Sequence, residues 1–169
     1  MVNSAQYREL NPNGLVPTID DDGFVLWESH AIVRYLAAKH AAGTLWPEDP
    51  KTRADADRWM DWTSSTFWPA LRPLFHGLVR TPAGERDAAA LEASRRKSAE
   101  VLGILDACLE SRAFVAGPVF TIGDIALGCG AWRWMALPIE RPALPNLARW
   151  FDTLAQRPAF RKIVMLPLT

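Results

Sequence analysis

The chain has 169 residues, 49% of them apolar and 22% charged, with 19 Lys plus Arg against 19 Asp plus Glu. Such a chain is long and apolar enough to bury a substantial core, and its balanced charge gives no bulk attraction to nucleic acid or to an anionic membrane. No stretch approaches the roughly 18 consecutive apolar residues of a spanning helix, and the opening Met1-Val2-Asn3-Ser4-Ala5-Gln6 lacks the basic and apolar regions of a signal peptide; a cytoplasmic location without nucleic-acid or membrane partners is expected.

In chain order, residues 4–10 form a short helix that Asn11-Pro12 stops, because a residue before proline is driven out of the helical region. Residues 15–19 and 24–27 are short β-rich runs on either side of Asp20-Asp21-Asp22-Gly23. Gly23 accepts positive φ and the aspartates tolerate turn conformations, which predicts a β-hairpin. A helix follows over 29–40, with Ser29 in the capping position before His30 and apolar residues at 32, 33 and 36; it ends before Gly43. The punctuation Gly43-Thr44-Leu45-Trp46-Pro47-Glu48-Asp49-Pro50 then divides the chain into expected domains 1–42 and 43–169.

Beyond that break the apolar spacing is helical throughout. Residues 52–79 read as one long helix bent or broken near Trp68, because Pro69 and Pro73 each remove a backbone donor. Residues 87–109 carry an apolar stripe opposite Arg95, Arg96, Lys97 and Glu100. Thr121-Ile122-Gly123-Asp124 is a capping-box signature ahead of a largely apolar helix, the expected centre of the core. Residues 145–154 and 158–165 add two short helices. The fold class is therefore mostly α, with a mixed α/β segment at the start.

Cys108 and Cys129 have no paired spacing and read as free thiols. His30, His40 and His76 are scattered without ligand spacing, so no metal is expected. The eight tryptophans sit mostly at helical spacing and read as core packing.

The phrase Asn11-Pro12-Asn13-Gly14-Leu15-Val16-Pro17-Thr18-Ile19, followed by Phe24-Val25-Leu26-Trp27-Glu28-Ser29-His30-Ala31-Ile32, resembles the glutathione-binding half of a cytosolic glutathione transferase of bacterial type. The capping box and the tail from Leu137-Pro138 through Arg157-Pro158-Ala159-Phe160 resemble the helical domain of the same family. The resemblance implies a thioredoxin-like segment, here a hairpin plus helices, followed by an all-helical domain. It implies a transferase that joins the thiolate of glutathione, its co-substrate, to a hydrophobic electrophile, working as a homodimer without metal.

Residue by residue, it implies a cis bond at Val16-Pro17, so that the Val16 main chain pairs with the cysteinyl part of glutathione as an added strand would. Glu28 would meet the γ-glutamyl ammonium. Ser29 and the amides of the helix behind it would receive the carboxylate. Leu15 stands where family members often carry Gln or Lys. Asp57 and Asp61, at i and i+4, read as surface charge, although the family sometimes sends an acid from this region into a neighbouring subunit. Trp62 and Phe67 are candidates for the electrophile pocket. In the family a strand, a helix and a second strand precede the aligned segment and carry the catalytic Ser, Tyr or Cys. Ser4 and Tyr7 match the helix after them, so the catalytic residue is left unassigned. The expected consequences are an activity that depends on that segment, an open hairpin edge covered by a second copy, and, as alternatives, a non-catalytic glutathione-binding or protein-interaction module or a start site that lies further upstream.

Overall fold

A computed structural model of the chain describes residues 2–169, which divide into two units, Met1–Glu48 and Asp49–Thr169. In the first unit, α1 (Ala5–Leu10) begins at Ser4, whose Oγ accepts the Tyr7 amide at 3.2 Å, and ends at Asn11 in extended conformation before Pro12. Strands β1 (Thr18–Asp21) and β2 (Phe24–Trp27) pair antiparallel, with Asp21 opposite Phe24 and Thr18 opposite Trp27. The connecting residues Asp22 and Gly23 have φ of 53° and 89°. Two positive φ values in a two-residue loop match the natural twist of the strands, which is why an Asp-Gly pair is found there.

The first strand differs from its expected span of 15–19. It starts three residues later, because Pro17 has no N–H for a ladder and the Leu15 carbonyl is already engaged by the side chains of Tyr7 and Asn11. Helix α2 (Ser29–His40) packs on the hairpin. Polar ties hold it there: the Asp21 carboxylate accepts from both the Tyr35 hydroxyl and the Lys39 ammonium, and the Phe24 and Tyr35 rings meet at 5.3 Å. Buried side chains in this unit are few, chiefly Asn11, Ile32 and Ala37.

The second unit is helical. Asp49 caps α3 (Pro50–Trp62), accepting from the Thr52 amide at 2.8 Å and its hydroxyl at 2.7 Å. The expected interruption is a π-helical turn over Thr63–Phe67, immediately before α4 (Trp68–Val79). There the Trp68 amide bonds to the Thr63 carbonyl, five residues back. Pro69 lies in the first turn of α4, where its missing N–H is tolerated, whereas Pro73 interrupts the helix interior. A hydroxyl from the neighbouring helix compensates. Ser94 Oγ accepts from the Leu74 amide at 3.0 Å and donates to the Ala70 carbonyl at 2.6 Å, the two groups an ordinary helical bond would join.

Helix α5 (Ala88–Leu109) turns the stripe Ser94, Ser98, Val101, Leu102, Leu105 and Leu109 inward. Helix α6 (Ile122–Ala136) is the most buried element, as its composition predicts. Its capping box forms at Thr121, whose amide donates to Asp124 Oδ2 at 2.9 Å. The same carboxylate, wholly buried, accepts from the Val115 amide at 3.1 Å and from Trp150 Nε1 at 2.8 Å. Gly123 lets α6 approach α3, since a Cβ there would sit 2.9 Å from the Ala56 carbonyl oxygen. At the far end of α6 the Arg141 guanidinium donates to the carbonyls of Trp134, Met135 and Leu137. Helices α7 (Pro145–Ala155) and α8 (Pro158–Ile163) complete the unit, with Leu147, Trp150 and Leu154 of α7 joining the core. Among the described residues no helix is long and apolar enough to cross a membrane.

Candidate functional site

Pro17 directly precedes β1 and Glu28 directly follows β2. Because Thr18 lies opposite Trp27, the pairs Val16-Pro17 and Glu28-Ser29 emerge at the same end of the hairpin. The Val16–Pro17 bond is cis, as the family resemblance implies, and Val16 is 72% exposed.

A polar network behind this loop is a feature that sequence reasoning missed. Asn11, only 2% exposed, donates from Nδ2 to the Leu15 carbonyl at 2.7 Å and to Thr18 Oγ1 at 3.1 Å. Its Oδ1 accepts from the Asn13 amide at 3.1 Å and the Asn13 side chain at 3.2 Å. The Tyr7 hydroxyl donates to the same Leu15 carbonyl at 2.7 Å and lies 2.9 Å from Thr18 Oγ1. The segment from 11 to 18 is thus wrapped around one buried amide. The signal for part of it was present, since Asn side chains characteristically bond the backbone two residues on. Both early hydroxyls have local work, Ser4 as the cap of α1 and Tyr7 as a prop of the loop.

Ser29 departs from its expected capping role. Glu28 occupies the N-cap position, with φ 74° and ψ 113°, and its carbonyl accepts the first helical bond from Ile32 at 2.9 Å. Ser29 is therefore already the first helical residue, and no side-chain bond caps the helix. Positive φ at a non-glycine residue costs about 1–3 kcal/mol and is found where the surroundings impose it. Nothing in the sequence marks Glu28 for it. The Glu28 and Ser29 side chains are both exposed, at the end of the helix that favours anions.

The other candidates separate. Phe67 is fully buried and belongs to the core rather than to an open pocket, and the half-buried Trp62 stacks on it at 6.0 Å. Asp57 is half-buried and Asp61 exposed on α3. Cys108 and Cys129 are free, and burial pushes both thiols above their ordinary range, against nucleophilic use.

Comparison with known families matches residues 1–39 to the glutathione S-transferase N-terminal domain and residues 59–158 to the glutathione S-transferase C-terminal domain. The chain belongs to the glutathione S-transferase family. Glutathione S-transferase GstB of Escherichia coli K12 is 43% identical over 167 residues, covering 98% of this chain and 80% of that protein. Glutathione S-transferase 3 of Zea mays is 35% identical over 165 residues, covering 94% of this chain and 74% of the relative. Among solved structures, the theta class glutathione S-transferase of Xanthomonas axonopodis pv. citri with glutathione bound superposes with a TM-score of 0.96 at 50% identity, covering 99% of this chain and 81% of that one. The hairpin with its flanking helices and the all-helical domain are thus the glutathione S-transferase fold read from the sequence.

Proposed function

We propose that the end of the hairpin holds glutathione, the co-substrate of a transferase that conjugates hydrophobic electrophiles in the cytoplasm as a homodimer. The Val16 main chain, presented by Pro17, takes the cysteinyl unit as an added strand would. Ser29 and the first-turn amides of α2 receive the γ-glutamyl carboxylate, at the positive end of the helix dipole. The Glu28 carboxylate meets the ammonium of the same unit. The observation that carries the reading is the hairpin register, which brings Val16-Pro17 and Glu28-Ser29 to one end. The glutathione-bound Xanthomonas relative, half identical in sequence, supports it.

In the reaction the glutathione thiolate attacks the electrophilic carbon, a C–S bond forms and the leaving group departs with its electron pair. The thiol proton passes to solvent. The described residues contribute positioning, and none is assigned as the hydrogen-bond donor to the thiolate. The homodimer has a physical motive in the first unit, where Leu10, Leu15, Val16, Phe24, Trp27 and Leu36 are all exposed.

Titration calorimetry with glutathione tests the site. Because Ser29 does not cap α2, Ser29→Ala is expected to weaken glutathione binding about tenfold, the scale of a lost hydrogen bond to a charged group, with unfolding unchanged. Glu28→Gln should act similarly through the ammonium. Wild-type affinity in both variants would remove the site. Light scattering that finds a monomer at working concentration would remove the dimer.

A further inference from the structure

The hydrogen bonds around the Leu15 carbonyl have a single permitted direction. The Tyr7 hydroxyl has one proton, and it goes to the Leu15 oxygen at 2.7 Å. Across the 2.9 Å contact between the Tyr7 hydroxyl and Thr18 Oγ1, the donor is therefore Thr18. Asn11 Nδ2 has two protons and uses both, one on Thr18 Oγ1 at 3.1 Å and one on the Leu15 oxygen at 2.7 Å. The four bonds close a ring that starts at the buried Asn11 amide and reaches the Leu15 oxygen from two sides.

That oxygen belongs to the same peptide plane as the Val16 N–H. The Leu15–Val16 bond is trans, so its N–H points opposite to its C=O. With the carbonyl turned in toward Asn11, the N–H is turned outward, between side chains that are both exposed. Among the described residues no group accepts it. Two donors on one carbonyl also draw electron density along the peptide, which strengthens its N–H as a donor.

We propose that Tyr7 and Asn11 are positioning residues for glutathione: by holding the Leu15 carbonyl inward they aim and polarise the Val16 N–H toward the carbonyl oxygen of the cysteinyl unit. The inference rests on the reading that the Val16 main chain takes that unit. Both side chains act through the peptide rather than on the ligand. Support of the loop alone would alter unfolding without altering the hydrogen bond that the Val16 amide makes to the ligand.

Calorimetric titration of the full chain with glutathione is the first measurement. Tyr7→Phe, which removes one oxygen from a half-buried side chain, is expected to bind glutathione about three- to tenfold more weakly than wild type. Asn11→Asp keeps the acceptor of Asn13 but deletes the donor to Leu15; it should weaken binding at least as much, with its fold checked by circular dichroism. Ser4→Ala is the structural control, since it removes the cap of the helix that carries Tyr7 and leaves the ring intact. Its affinity should stay within about twofold of wild type. Nuclear magnetic resonance gives the second readout. In glutathione-saturated protein the Val16 amide proton should lie downfield of its free position, and the bound signal of Tyr7→Phe should lie upfield of the wild-type bound signal. Wild-type affinity in Tyr7→Phe, an unmoved Val16 amide proton, or a Ser4→Ala loss equal to that of Tyr7→Phe would each overturn the positioning role while Ser29→Ala still reports the site. A wild-type chain that binds no glutathione would remove the site itself, and this role with it.

Discussion

The two units are held together by different forces. In Asp49–Thr169 the stabilising surface is apolar and continuous, running from Phe67 and Leu71 through Leu102, Leu105 and Leu127 to Trp134 and Trp150, all buried. Three polar groups enter it as fully occupied stitches, Asp124 at the start of α6, Arg141 at its end and Ser94 between α4 and α5, whereas Trp59 Nε1 and Ser98 Oγ are buried without a hydrogen-bond partner. In Met1–Glu48 two polar networks tie the segments together, one around the buried Asn11 and one around the half-buried Asp21. Among the described residues, six of the ten exposed large apolar side chains belong to this smaller unit. The polar bonds of the smaller unit fix the loop from 11 to 18 at the place where glutathione is proposed to sit, and Glu28 with its positive φ lies at the same end of the hairpin.

The contrast can be broken most severely at Asp124. Asp124→Ala strands the Val115 and Thr121 amides and the Trp150 indole, all buried. The expected loss is about 3–5 kcal/mol in urea unfolding of the helical unit; a loss under 1 kcal/mol would mean that the stitch is ornamental. Next is packing. A Cβ at Gly130 would lie 2.6 Å from Phe67 Cε1 and 3.1 Å from its Cδ1, so Gly130→Ala should destabilise by about 1–3 kcal/mol through overpacking, again in denaturant midpoint. The first unit responds differently. Asn11→Ala removes one of two donors from the Leu15 carbonyl and the acceptor of Asn13, and about 1–2 kcal/mol of local protection should go with it. Amide exchange would show faster opening over β1 and β2 and unchanged exchange in α5 and α6; acceleration in both places would erase the distinction between the units.

The smallest effect is electrostatic. The Lys39 ammonium first, and the Tyr35 hydroxyl second, hold the half-buried Asp21 carboxyl below its ordinary value. A lowered folded-state pKa means that this tie contributes fully above about pH 4 and is lost as pH falls through the folded value. Carboxyl carbon shifts followed by nuclear magnetic resonance should place the Asp21 midpoint below that of a model peptide, and Lys39→Met should return it most of the way.

Much of the fold could be read from local chemistry. Asp20-Asp21-Asp22-Gly23 marked the hairpin, although β1 runs on through Asp21 and only Asp22-Gly23 forms the turn; the periodicity from 87 to 109 specified α5, and Thr121 with Asp124 specified the start of α6. What escaped was non-local or conformational. The other two partners of Asp124 lie 9 and 26 residues away, beyond any spacing rule. The shift of β1 depends on side chains of Tyr7 and Asn11 reaching forward to Leu15. The prolines marked an interruption correctly, but its form, a π-helical turn at Thr63–Phe67, depends on how the wider turn seats Phe67 in the core. At the candidate site, Val16, Pro17, Glu28 and Ser29 were legible as a pattern. The positive φ of Glu28, which turns Ser29 from a cap into a helical residue, was not.

The hydroxyl of Ser94 has a consequence for how this chain can change over generations. It satisfies the Ala70 carbonyl and the Leu74 amide beside Pro73, whose ring prevents α4 from closing normally. While the proline is present, losing the serine strands the buried Leu74 amide and the half-buried Ala70 carbonyl. Once the proline is replaced, the helix can join those groups itself and the serine is released from its duty. The two positions therefore have a preferred order of substitution, proline first and serine second, and lineages that lack Pro73 are the ones in which position 94 is free to drift.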